Sequence, residues 1–98
     1  MARFVMIGWD GPEGTKRRDE HRAAHLAHLD RLNRDGRIVF AGPIRSEEND
    51  RPDGAVIVFE AESLEAARKL VAADPYVAGG VFATCTVRPF RPAYPKDS

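Results

Sequence analysis

The sequence predicts one α+β domain, and three observations carry that prediction. Four short runs are rich in β-branched and aromatic residues, two long helix-compatible stretches separate them in the order β-α-β-β-α-β, and turn formers punctuate the junctions. With 98 residues, of which 43% are hydrophobic, the chain has material for a single thin core over residues 1–98 and none for a second domain.

Arg3 to Trp9 forms the first predicted strand, stopped by Asp10-Gly11-Pro12. From Thr15 to Asp35 there is neither proline nor glycine, so a long helix is expected, with Gly36 supplying its left-handed stop. Arg37 to Gly42 is again strand-like, and Pro43 follows it. Residues 45–53 are polar without periodicity and should be an exposed loop that folds over a cleft if it serves as a lid. Gly54 to Glu60 holds Ala-Val-Ile-Val-Phe, a third strand. Ser63 is placed to cap a second helix, with Glu65 in its first turn and an end near Ala73, where Asp74-Pro75 breaks it. Residues 76–80 are expected to turn through Gly79-Gly80, and Val81 to Val87 makes the last strand before a proline-rich tail over 89–98.

With right-handed crossovers and a middle hairpin, this order is the split βαβ, ferredoxin-like arrangement: an antiparallel sheet with both helices on one face. The other face is the difficulty. Phe4 and Met6 alternate with Val5, Ile7 and Trp9, and Ile57 and Phe59 alternate with Val56 and Val58, so both faces are apolar. Helices cover only one of them, and a bare apolar face predicts a homodimer packed through its sheet faces. Trp9, Phe40, Phe59 and Phe82 are accordingly read as core or interface rather than as a ligand cage.

Charge excludes some functions. Fifteen Lys and Arg balance fifteen Asp and Glu, and the basic group Arg17, Arg18 and Arg22 is interrupted by Asp19 and Glu20, so neither nucleic acid nor an anionic membrane is the expected partner. The single cysteine, Cys85, forms no internal disulfide, which suits a reducing cytoplasm. The apolar run from Phe4 to Trp9 is too short for a signal peptide or a membrane span.

The chemistry is sought on the first helix. At about 100° per residue with His25 at zero, Leu32, Leu29, Arg22 and Leu26 fall between about −20° and +100°. His25 therefore stands inside the apolar stripe, with Arg22 on the same arc and His21 and His28 at its flank, where they are read as solvated. A buried imidazole needs a polar partner. Asp74, pinned by Pro75, is the candidate, and a carboxylate on one ring nitrogen would fix the tautomer and raise the basicity of the other. The bland alternative is a hydrogen-bonded core histidine beside a capping aspartate. Histidines at 21, 25 and 28 share a helical face, but one straight helix does not gather three ligands around one ion, so no metal is assigned.

Arg22-Ala-Ala-His25-Leu26, Ala41-Gly42-Pro43, Ser63-Leu64-Glu65-Ala66-Ala67, Asp74-Pro75-Tyr76 and Val87-Arg88-Pro89-Phe90, in that order and spacing, resemble the YciI-like (YCII-related) family. The resemblance spans nearly the whole chain. It implies a dimeric α+β barrel of the ferredoxin-like type and a cleft centred on His25 and Asp74, with relatives that look like muconolactone isomerases or are linked to dehydrochlorination. His21 and His28 are additions around that pair.

The expected function is therefore a small cofactor-independent enzyme in which His25 and Asp74 are catalytic, moving a proton on a small organic substrate in isomerase- or lyase-type chemistry. Arg22 would hold the substrate's charge, and Gly42, Pro43 and Tyr76 would complete its site, with backbone amides near Gly42 meeting an enolate-like oxygen. No heme or flavin motif is present, and no cofactor is implied. The alternative is a non-catalytic dimer that binds a small metabolite or serves as an accessory or regulatory module.

Overall fold

The computed structural model of the chain describes residues 1–96. Its elements are β1 (Ala2–Asp10), α1 (Gly14–Arg34), β2 (Ile38–Arg45), β3 (Pro52–Ala61), α2 (Leu64–Ala72), α3 (Pro75–Ala78) and β4 (Phe82–Pro89). The four strands form one antiparallel sheet in the order β2-β3-β1-β4, the ferredoxin-like arrangement that the pattern predicts.

The core follows from strand alternation. Phe4 and Met6 of β1, Ile57 and Phe59 of β3 and Val87 of β4 point to the helix side and pack with Ala67 and Val71 of α2. Phe4 and Phe59 are opposed in register and meet as tilted rings 6.2 Å apart. The alternate residues face the other way. Ile7, Trp9 and Phe40 are 36%, 49% and 54% exposed there, so the sheet carries an apolar face that no helix of this chain covers.

The helix ends are set by local chemistry. Gly36 at φ 73° ends α1, and the Arg37 N–H returns to the Leu32 carbonyl at 2.9 Å. Ser63 Oγ accepts the Ala66 N–H at 3.1 Å and opens α2 as expected.

Four boundaries differ from the sequence reading. β2 does not stop at Gly42 but runs through Pro43 to Arg45, because β2 is an edge strand whose missing proline N–H costs no ladder bond. β3 likewise begins at Pro52, so the polar loop 45–53 shrinks to residues 46–51. Residues 75–78 are a helical turn rather than an open one, since Asp74 caps it and Pro75 occupies its first position. β4 continues to Pro89, and the Phe90 N–H still bonds the Arg3 carbonyl at 3.0 Å. Of the tail 89–98, residues 97 and 98 lie outside the described residues. Among the described residues no helix is long and apolar enough to cross a membrane.

Candidate functional site

The site is built where α1 crosses the β2–β3 side of the sheet and meets α3. Asp74 sits between α2 and α3, 2% exposed, and its Oδ1 accepts the Tyr76 backbone N–H at 2.9 Å. The same oxygen lies 2.7 Å from Nδ1 of His25, 49 residues earlier in the chain. A carboxylate accepts, so Nδ1 carries the proton, and Nε2 is left as the nitrogen free to take one. Asp74 thus caps a helix and holds an imidazole with one atom.

Tyr76 lies flat against His25, ring centroids 3.7 Å apart and planes within 3°. The tyrosine is itself buried, and its edge meets Phe82.

A cavity of about 380 Å³ opens beside these rings. Its polar side is made by Arg18, Arg22, His25 and Tyr76, and its apolar wall by Leu26 and Leu29 of α1 with Ala41, Gly42, Pro43, Pro52, Ala55 and Ile57 of the sheet. Of the six residues proposed from the sequence, His25, Arg22, Gly42, Pro43 and Tyr76 line this cavity, while Asp74 stands behind it.

Arg18 is the residue that the sequence reading misses. Its side chain is 8% exposed, and it donates from Nε and Nη2 to the two oxygens of Asp10, at 2.8 and 2.9 Å, and from Nη2 to the Gly54 carbonyl at 3.0 Å. Its guanidinium carbon also stands 5.3 Å from the centre of the Tyr76 ring. The hydrogen bonds it donates to Asp10 raise its pKa above the ordinary arginine value, against the opposing effect of burial, so Arg18 is a fixed cation. Asp10 reaches it because α1 starts with glycine: a Cβ on Gly14 would stand 2.7 Å from that of Asp10. A signal for Arg18 exists in the sequence. Seven residues before His25, it falls at about +20° on the same helical wheel, inside the inward arc as Arg22 is.

The other charged residues are corrected accordingly. Arg22 is not buried; its side chain is 55% exposed and pairs with Asp19 at 3.1 Å on the cavity rim. His28, read as solvated, is buried beside Leu29, Leu70, Val71 and Asp74. His21 is half-buried against Gly79. Among the described residues no group of three or more His, Cys, Asp or Glu is placed to hold a metal ion. A Cβ on Gly42 would meet nothing within 4 Å, so no contact within the chain explains that glycine. Trp9 and Phe40 are exposed on the bare sheet face and belong to no core of this chain, whereas Phe59 is core and Phe82 flanks it.

The family model of the YCII-related domain matches residues 2–91. The chain belongs to the YCII-related family. It is 36% identical to Protein YciI of Escherichia coli O6:H1 over 96 residues, covering 93% of this chain and 98% of that protein. An uncharacterized protein of Haemophilus influenzae is 32% identical over the same shares of the two chains. Among solved structures, 5-chloro-2-hydroxyhydroquinone dehydrochlorinase (TftG) of Burkholderia phenoliruptrix, in complex with 2,5-dihydroxybenzoquinone, superposes with a TM-score of 0.79 at 29% identity, covering 91% of this chain and 93% of that one. The cofactor-independent oxygenase SnoaB of Streptomyces nogalater shares the fold, with a TM-score of 0.61 at 13% identity over 98% of this chain and 100% of that one.

Proposed function

We propose that the cavity is the active site of a small cofactor-independent enzyme that moves a proton on a small organic substrate, in isomerase- or lyase-type chemistry. The observation that carries the reading is the 2.7 Å bond between a buried carboxylate and an imidazole that opens onto the cavity. Nε2 of His25 takes a proton from an acidic O–H or C–H of the substrate. The electron pair released moves toward a conjugated oxygen or expels a leaving group such as chloride, and the imidazolium returns the proton to the product or to solvent. Such acid–base help is worth about 10² to 10⁴ in rate.

Arg18 is the group best placed to meet negative charge developing on oxygen. It is pre-oriented by Asp10, is charged at every working pH and lines the cavity beside Tyr76. Arg22, on the rim, receives a substrate's peripheral charge, and Gly42 and Pro43 shape the apolar wall. The similarity to TftG, a dehydrochlorinase with a dihydroxybenzoquinone in its crystal, supports a cyclic oxygenated substrate. The volume agrees, since about 380 Å³ suits a one-ring molecule.

The test is turnover of 5-chloro-2-hydroxyhydroquinone and a panel of small lactones, read as chloride release or ring opening. His25→Ala should lose about 10² to 10⁴ of the rate while keeping its fold. A wild-type protein that turns over none of them, and a variant that binds 2,5-dihydroxybenzoquinone equally well, would make the cavity a binding pocket instead.

The bare face of Ile7, Trp9 and Phe40 supports a homodimer through the sheets, consistent with a single-domain protein of the reducing cytoplasm that engages neither nucleic acid nor membrane. Trp9→Glu should return a dimer to monomer mass in light scattering, and a monomeric wild type would remove the proposal.

A further inference from the structure

We propose that Tyr76 is a positioning residue of this site: its ring holds the His25 imidazole in the plane that Asp74 requires, and it sets the place of that imidazole relative to Arg18. The proposal rests on the acid–base reading for its purpose, but its geometry stands apart from it.

Three contacts converge on this one residue. Its backbone N–H shares Asp74 Oδ1 with His25, at 2.9 and 2.7 Å. Its ring faces the imidazole at 3.7 Å and 3°. The Arg18 guanidinium carbon lies 5.3 Å from the centre of that same ring. Rotation of the imidazole out of its plane would break the Nδ1 bond and the stack together.

The form of the stack is informative. Parallel stacking of two aromatic rings is strengthened when one ring becomes positive, since the negative face of a phenol attracts a cation. The Tyr76 face is therefore complementary to the imidazolium formed once His25 has taken the substrate's proton. It holds the ring before the transfer and favours the charge that develops during it.

NMR of the full-length protein with labelled histidine tests the proposal without any substrate, so its failure is distinct from a failure of catalysis. At fixed pH, the Nδ1 proton of His25 should give a downfield signal with slow solvent exchange, and the ring C–H protons should be displaced upfield by Tyr76. Tyr76→Phe should preserve both signatures. Tyr76→Leu should abolish the upfield displacement and speed Nδ1 proton exchange roughly two- to tenfold, the range that an aromatic pair is worth. If Tyr76→Leu does not fold, Tyr76→Met, whose unbranched side chain fills irregular gaps, gives the same two readings. Wild-type Nδ1 exchange as fast as in a solvent-exposed histidine, or unchanged exchange in the ring-less variant, would overturn the proposal and leave the stack as packing alone.

Discussion

Two carboxylates, Asp74 buried and Asp10 partly so, each hold one basic side chain of α1 that lines the cavity, yet the two pairs differ in what they do. Asp10 grips Arg18 with both oxygens, and the guanidinium does not release a proton at any working pH. Asp74 touches His25 through one oxygen, and an imidazole, unlike a guanidinium, can both accept and give up a proton. The first pair is a fixed charge and the second is a movable one. They stand seven residues apart, two turns of one helix, with the Tyr76 ring in contact with both bases. A rigid helix thus carries a group that holds and the group proposed to transfer, at a spacing that loops would not keep.

The largest effect expected is on folding. Asp10→Ala strips the partner from a cation whose side chain is 8% exposed, and breaking such a pair costs about 3 to 5 kcal/mol, measurable as a lower urea midpoint. Removing both charges together, as Asp10→Ala with Arg18→Met, should recover most of that loss, because no unpaired charge stays buried. If the single variant were as stable as wild type, the holding pair would be no more than a surface contact.

Asp74→Asn should invert this balance between stability and rate. The amide oxygen still accepts the Tyr76 N–H that caps α3, so the fold should lose only about 1 to 3 kcal/mol. The same amide oxygen still accepts from Nδ1 of His25, but it carries no negative charge to stabilise the imidazolium, and turnover should fall by about 10² to 10⁴. Equal losses of stability in Asp10→Ala and Asp74→Asn, with activity untouched in the second, would erase the distinction between the two pairs.

Much of this was legible beforehand, for identifiable reasons. Strand alternation separates Phe4 and Met6 from Ile7 and Trp9 whatever the tertiary structure, and Ser63 and Gly36 mark helix ends through backbone chemistry that acts locally. The family pattern placed His25 opposite Asp74, a meeting across 49 residues that no periodicity encodes. What escaped was of two kinds. A four-residue helix such as α3 is too short to show a period, and Pro43 looks like a strand end until β2 is known to be an edge. Arg18 escapes because it reads only as one of a basic group interrupted by Asp19 and Glu20, while its burial depends on Asp10 arriving from β1. His28 sits at the flank of the apolar stripe and reads as solvated on the helix alone, and α2 with the Asp74 segment closes over it.

The smallest effect expected concerns the other arginine on this face of α1. Arg22 is one turn from Arg18, but its pair with Asp19 is 55% and 66% exposed, and such pairs contribute no more than about 1 kcal/mol. Arg22→Ala should therefore leave the urea midpoint nearly unchanged. Because Arg22 lines the cavity mouth, the variant should weaken binding of an anionic ring compound such as benzoate by a few-fold, about the value of one screened charge, and leave a neutral ring such as phenol unaffected. Raising the salt concentration should shrink that difference for wild type and do nothing for the variant. If neutral and anionic ligands lose affinity equally, Arg22 shapes the rim by its bulk. Recognition of charge then falls to Arg18 alone, whose position Asp10 has already fixed.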